Sequence, residues 1–367
     1  MKDNPHIFVC PLDWGIGHAT RCVPVIRELI RQKAKVTIGA DNRPLAFLRQ
    51  EFPDAEFIRF PGYRFSYPTG KNMALKMAIQ LPQILIGIRK EREALEKIVR
   101  ERGIDGIISD NRFGLSSTLV PSVFMTHQLR IQVPSHLGFL KPILDRINHR
   151  YISAFDECWI PDFKTGLNLS GNLGHVKDLL PNCHYIGPLS RFAGMDINKL
   201  SDVQDENNRL DILVILSGPE PQRTLLEKKV LQQIQQSDYK AAVILGKPES
   251  GSQEKSNGRI TIFPHLDTGS LYRLIMIAGI IISRPGYSTV MDIATTGKKA
   301  VFIPTPGQTE QEYLAGYYTR KKWFFSTSQK NFQLDAALVE SKSFSGIRLD
   351  FDYSILTQRI ASFLQKM

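Results

Sequence analysis

Ser283-Arg284-Pro285-Gly286-Tyr287-Ser288-Thr289-Val290-Met291-Asp292, followed by Pro304-Thr305-Pro306-Gly307-Gln308-Thr309-Glu310-Gln311, is the stretch on which the reading of this chain turns. An apolar strand from Gly279 to Ser283 runs into a glycine turn and a helix opening at Ser288 and Thr289. A second strand, Lys299 to Ile303, runs into a polar loop. The free N–H groups of a helix start, with small hydroxyl side chains beside them, are a seat for phosphate. Asp292, one helical turn in, is placed to accept hydrogen bonds from a ribose, and Glu310-Gln311 can reach sugar hydroxyls. This pattern suits a nucleotide that carries a sugar.

The same alternation extends in both directions. Apolar runs at His6–Cys10, Lys35–Ala40, Ala55–Phe60, Asp105–Ser109, Ser122–Thr126 and Glu157–Pro161 predict strands. A helix is expected from about Thr20 to Gln32, with Val23, Ile26, Leu29 and Ile30 on one face. Around Ser190–Arg209 apolar residues thin out, and Asp202-Val203-Gln204-Asp205-Glu206-Asn207-Asn208 reads as a linker. A fresh start follows, with strands at Asp211–Leu216, Ala241–Leu245, Arg259–Phe263, Ile280–Ser283 and Lys299–Ile303. The expected class is α/β, with two Rossmann-like, doubly wound domains facing each other across a cleft. Their expected limits are 1–190 and 210–345, joined by a linker at 191–209. The segment 346–367 is expected to contain a helix, Tyr353–Leu364, that packs back on the first domain.

Bulk properties narrow the partners. The 367 residues are 42% hydrophobic and 23% charged, which suits a globular protein with a core large enough to need no staples. Cys10, Cys22, Cys158 and Cys183 form no CxxC and read as reduced, buried thiols of a cytoplasmic protein. Met1-Lys2-Asp3-Asn4-Pro5 is polar, and no secretory signal is expected. The net charge of +11 calls for an anionic partner. Basic residues are spread out and do not alternate with aromatic ones, so nucleic acid is not expected. A diphosphate ligand or peripheral contact with the membrane's inner face fits better. The eight histidines include no HxxxH or HxH pair, and no Asp-x-Asp follows a strand, so no metal site and no cofactor are expected.

Four further motifs have a functional and a bland reading each. In Asp13-Trp14-Gly15-Ile16-Gly17-His18-Ala19-Thr20-Arg21 the glycines admit a close ligand, and His18, at the strand-to-helix turn, can act as a general base. The alternative is a histidine that caps or packs. Thr20 stands where a dinucleotide fingerprint needs its third glycine, so a nicotinamide-dependent oxidoreductase is disfavoured. Asp110, closing the strand Asp105–Ser109, can orient His18, or can simply cap the next segment. His127, at the end of the next strand, is a further acceptor-side candidate. Ser217-Gly218-Pro219-Glu220-Pro221-Gln222-Arg223 combines a glycine turn with a helix start that carries an Arg. It is a diphosphate contact or an ordinary βα turn. Lys71–Arg102 is a long apolar-rich helix that Pro82 is expected to kink. It is a membrane-surface helix or, the preferred reading, a core helix followed by a solvated one.

Arg284, Gly286, Ser288-Thr289-Val290, Asp292, Gly297, Pro304, Pro306 and Glu310-Gln311, with Gly15-Ile16-Gly17-His18-Ala19-Thr20-Arg21 in the first half, resemble the MurG-like glycosyltransferases of GT-B fold over the whole chain. The resemblance implies a ribose-binding acid at Asp292 and donor-sugar contacts at Glu310 and Gln311. It also implies a base at His18 oriented by Asp110, and acceptor-side contacts at Gly15, Gly17 and Arg21. Arg284, the Ser288-Thr289 helix start and the Ser217-Gly218 turn would stabilise the leaving diphosphate in place of a metal, with Gly286, Gln222 and Arg223 also on the donor side. The implied reaction moves GlcNAc or another hexose from a UDP-sugar to a hydroxyl or phosphate, with inversion and without metal. The first loop is poorer in glycine than the Gly-Gly-Thr-Gly-Gly-His of that family, and Asp replaces Glu at the ribose position, which points to an acceptor other than lipid I. The acceptor is unidentified, lipid-linked molecules among the candidates. The rival readings are a non-hydrolysing UDP-sugar epimerase and a catalytically silent nucleotide-sugar-binding protein.

Overall fold

The computed structural model describes residues 2–62, 73–133, 135–195, 209–250, 253–349 and 352–367. The chain divides into two compact units. One comprises Met1–Asp13, His18–Leu189 and Asp352–Met367, the other Trp14–Gly17 and Ser190–Phe351. The polar run 202–208 and most of the loop 61–71, which was expected to line the acceptor pocket with Thr126–Lys141, lie outside the described residues.

The first unit is built on β1 (His6–Pro11), α1 (Ile16–Arg31), β2 (Lys35–Ala40), α2 (Asn42–Glu51), β3 (Glu56–Arg59), α3 (Met73–Arg102), β4 (Gly106–Asp110), β5 (Ser122–Met125), α4 (Lys141–Ile152), β6 (Glu157–Ile160) and β7 (Cys183–Tyr185). Its sheet has the order β3-β2-β1-β4-β5-β6-β7, and every neighbouring pair is parallel. Strands covered on both faces need apolar residues at successive positions. Ile7, Phe8, Val9 and Cys10 of central β1 are all fully buried.

The second unit repeats the plan with β8 (Leu210–Ile215), α5 (Gln222–Gln235), β9 (Ala241–Ile244), β10 (Lys255–Ser256), β11 (Ile260–Phe263), α6 (Thr268–Ile277), β12 (Ala278–Ser283), α7 (Tyr287–Thr296), β13 (Ala300–Phe302), α8 (Thr309–Arg320), β14 (Phe325–Ser326) and α9 (Leu334–Ser341). The sheet order is β10-β11-β9-β8-β12-β13-β14, with only the β10–β11 pair antiparallel. The eleven longer runs predicted as strands are strands, within two residues at either end. The three not predicted (β7, β10 and β14) are two or three residues long, too short to show a period.

Two helices compare with expectation as follows. The first, α1, begins at Ile16 instead of Thr20. Gly15, at φ +90°, makes the turn that a side chain would strain, and Gly17 falls inside the first helical turn. His18 therefore sits on a helix, not in a turn. The second, α3, runs through Pro82 as one 30-residue helix; side chains 73–81 lie outside the described residues.

The last helix, α10 (Ser354–Leu364), is part of the first unit. Phe363 meets Trp159 edge-to-face at 5.8 Å, and both are fully buried. Gly106 leaves the room: a Cβ there would lie 3.1 Å from the Phe363 ring and 2.1 Å from Met367 Cε. Lys366 pairs with buried Glu157 at 2.5 Å. Removing a fully buried phenyl ring costs about 3–5 kcal/mol. Phe363→Ala is thus expected to lower unfolding stability by about that amount in urea titration; a loss below about 1 kcal/mol would show that α10 is dispensable to the unit.

Candidate active site

In the first unit three adjacent strands, β1, β4 and β5, deliver one cluster at their carboxyl ends. His18 and Arg21 are three residues apart on α1, hence on one face. Asp110 is the last residue of β4, and His127 lies two residues beyond β5. His18 Nδ1 stands 3.1 Å from Asp110 Oδ2. Arg21 grips the same carboxylate, with Nε 2.9 Å from both oxygens and Nη2 donating to Oδ1. Its Nη1 donates to His127 Nδ1 (2.9 Å), and Nη2 also reaches His18 Nδ1 (2.9 Å).

This arrangement has a chemical consequence. A His18 ring protonated at Nδ1 donates to Asp110 and keeps a lone pair at Nε2, the state a general base needs. A ring protonated at Nε2 accepts from Arg21 instead. Asp110 is fully buried, and burial by itself would raise its pKa. The charges of Arg21 and His18 and their hydrogen bonds outweigh that and hold the carboxyl below its ordinary 3.8. Asp110 thus remains a carboxylate in a dry setting, while the His18 side chain keeps 17% of its surface exposed.

In the second unit β8, β12 and β13 are consecutive in the sheet, and the turns that follow them stand side by side at their carboxyl ends. These turns hold Ser217-Gly218, Arg284 to Thr289, and Pro304 to Gln311. Gly218 adopts φ +104°, and a Cβ there would lie 3.4 Å from Thr305 Oγ1. Gly286 is the N-cap of α7, with Ser288 and Thr289 in its first turn, and Glu310 and Gln311 are in the first turn of α8. Asp292 is buried and accepts from Ser190 Oγ (2.7 Å) and Arg191 Nε (3.1 Å). Burial raises its pKa, and Arg191 and Ser190 only partly oppose this. The Arg191 main chain gives Asp292 a further hydrogen bond, and since a carboxylate has about four acceptor positions, these bonds do not exhaust it.

The comparisons agree with this geometry. Residues 211–343 match the family model described as the Glycosyltransferase family 28 C-terminal domain. An uncharacterized glycosyltransferase of Methanosarcina acetivorans is 23% identical over 324 residues, covering 83% of this chain and 79% of its own. The chain is a glycosyltransferase. Its fold is that of Acinetobacter baumannii MurG (TM-score 0.55, 13% identity, 99% of this chain and 100% of that one). A UDP-GlcNAc 2-epimerase from Neisseria meningitidis shares it equally widely (TM-score 0.62, 15% identity, 99% and 100%). The enzyme is therefore a GT-B protein of two Rossmann-like units.

Several of the expected donor-side residues of this glycosyltransferase also bond to other protein groups. Arg284 was expected at the leaving diphosphate, but it is fully buried. Its Nη1 donates to the carbonyls of Ile303 and Pro304 (both 2.9 Å), and its Nη2 to the Gln222 carbonyl (3.0 Å) and Gln329 Oε1 (2.6 Å). Burial lowers its pKa to about 10, so it stays charged at neutral pH. It ties the three turns together from beneath. Arg223, also buried, is held by Glu220 and Glu227. Gln222 spends its side-chain oxygen on Gln329 Nε2 (3.2 Å). Gln311 Oε1 accepts from Thr305 N (2.8 Å), and Ser288 Oγ donates to the Gly17 carbonyl (2.7 Å). The sequence reading missed Ser190 and Arg191, which it had assigned to the end of the first domain and to the linker. A polar pair just beyond the carboxyl end of β7 was the available signal.

Two outcomes follow. For Asp110 the folded pKa lies below the unfolded one, so its contribution is complete above pH 3.8 and is lost as pH falls through the lowered value. Asp110→Asn should abolish that part of the acid-unfolding limb and, by stranding buried Arg21, cost about 3–5 kcal/mol at neutral pH. Arg284→Met should cost about 3 kcal/mol in chemical unfolding, because four acceptors lose a charged donor.

Proposed function

We propose that the enzyme transfers a hexose, GlcNAc the leading candidate, from a UDP-sugar to a hydroxyl or phosphate oxygen of an acceptor with inversion. The observation that carries this reading is the row of three turns on adjacent β8, β12 and β13, with Asp292 one helical turn into α7. The turn at Ser217-Gly218 and the start of α7 offer backbone N–H groups to a diphosphate, and Asp292 accepts from the ribose. Glu310 faces the hexose from α8. Arg284 Nη1 and Nη2 hold protein acceptors and Arg223 is paired with Glu220 and Glu227, so the leaving group's charge is assigned chiefly to backbone dipoles and to Arg191, which already sits on Asp292. No metal ion enters this reading.

On the acceptor side His18 Nε2 takes the proton as the acceptor oxygen attacks the anomeric carbon and the bond from that carbon to the diphosphate breaks. Asp110 stabilises the resulting imidazolium through Nδ1. Gly15 and Gly17, Arg21 and His127 shape that side. An acceptor carrying a lipid, with peripheral contact to the cytoplasmic face of a membrane, suits the basic charge; no described helix is long and apolar enough to cross a membrane.

Calorimetry with UDP and UDP-GlcNAc tests the donor half. Asp292→Ala should weaken both at least tenfold, in line with the loss of charged hydrogen bonds of about 1.5–3 kcal/mol each. His18→Ala should cut UDP release from UDP-GlcNAc by about 10²–10⁴ with little change in UDP affinity. Unchanged turnover would remove His18 from the chemistry, and an epimerised sugar released without acceptor would favour the epimerase reading.

A further inference from the structure

Lys299, Lys321, Lys322, Lys342 and Arg348 are scattered along the chain and meet at one end of the second unit. Lys299 immediately precedes β13, Lys321 and Lys322 follow α8, and Lys342 is the C-cap of α9. Local bonds gather them. Lys322 O accepts from Ser345 N (3.0 Å), Trp323 O from Gly346 N (2.9 Å) and Lys342 O from Lys299 Nζ (3.3 Å). Arg348 lies against Gly297, where a Cβ would stand 3.3 Å from Arg348 Cδ. All five side chains are exposed, and among the described residues none of them takes part in an ion pair. Neighbouring Lys298 differs: it is half-buried, and its Nζ donates to the carbonyls of Met276 (2.6 Å) and Ala278 (2.9 Å). Like charges held together without counter-charges repel one another, so this face calls for an anionic partner.

We infer that the face docks the second unit on an anionic lipid bilayer. The residue types select that partner. Four of the five cations are lysines, hydrated point charges on flexible stems, which suit a diffuse negative surface. Lysine is depleted in protein–protein interfaces, and planar recognition of phosphates and bases favours arginine. Half-buried Trp323 lies within the face, perpendicular to Tyr317 at 5.8 Å. Bases stack on open ring faces, but here Lys321 Nζ stands over both rings, 6.0 Å from each centroid. An aromatic ring with an apolar body and a polar edge, set among ammonium groups, matches the boundary between headgroups and water. The face is at the amino end of β13, and the three donor turns are at the carboxyl ends of β8, β12 and β13. A bilayer docked there leaves those turns open.

This inference rests on the peripheral membrane contact proposed above and gives it a location. The full chain is sedimented with vesicles of phosphatidylcholine alone and of phosphatidylcholine mixed with phosphatidylglycerol. Binding is expected to the mixed vesicles only and to weaken with added salt. Each lysine near such a surface contributes about fivefold in affinity, so the double variant Lys321→Gln/Lys342→Gln should bind about twentyfold to thirtyfold more weakly. The double variant Lys228→Gln/Lys255→Gln removes the same charge from exposed positions elsewhere in the unit and should bind like the wild type. Wild-type thermal unfolding of both variants shows that they are folded. Equal weakening in the two variants assigns binding to net charge and overturns the inference. Binding to both kinds of vesicle alike, or to neither, also overturns it, as does retention on single-stranded RNA in place of the mixed vesicles. UDP affinity, measured on the same samples, reports on the donor reading separately. Its absence overturns that reading while selective vesicle binding still supports the docking face.

Discussion

The guanidinium of Arg284 is the contact on which the second unit's site depends. It follows β12, lies beneath the surface, and reaches the carbonyls of Ile303, Pro304 and Gln222 and the side chain of Gln329. Those groups belong to segments widely separated in the chain. The carbonyls just beyond a strand's end have no partner within that strand, and burying them bare is costly. One planar cation meets three main-chain carbonyls and the Gln329 side-chain oxygen through its two terminal nitrogens and in doing so sets the spacing of the three turns. A lysine, a point charge with three donors, could not do the same.

A second constraint operates in the first unit. Asp110 is a fully buried carboxylate, which is tolerated only when paired and hydrogen-bonded. Arg21 supplies both and is itself buried, and it extends the set to His18 and His127. The oriented histidine is thus not a two-residue device. It belongs to a buried ionic network whose central member is the arginine, and α1, β4 and β5 are all fixed by it. Networks of this kind are costly when half-made and rigid when complete, which is the property a proton-transfer group needs.

Both sites lie where the topology puts them. In open parallel sheets the carboxyl ends of adjacent strands collect the βα turns, and polar residues there project beyond the sheet. The order β9-β8-β12-β13 brings together turns more than eighty residues apart in the chain, and β1-β4-β5 does the same for His18, Asp110 and His127.

What the sequence determined by itself was the architecture: apolar runs such as His6–Cys10 and Ile280–Ser283 must be largely buried, and their alternation with helices leaves a parallel sheet as the arrangement. It also marked where ligand chemistry collects, because glycines and polar residues at strand ends are legible without knowing which strands are neighbours. The pairing of His18 with Asp110 could be proposed from their positions after strands. The tertiary structure decided what each polar side chain does. Arg284 and Arg223 read as ligand cations in sequence, and the structure surrounds both with protein acceptors that no local pattern reveals. Arg21 took the central place beside Asp110, and the Gln311 side-chain oxygen turned onto Thr305 N. The physical reason is common to all of them. Local sequence specifies backbone propensity and burial, whereas a hydrogen bond or ion pair between residues a hundred positions apart exists only once the sheet order has brought the two groups together.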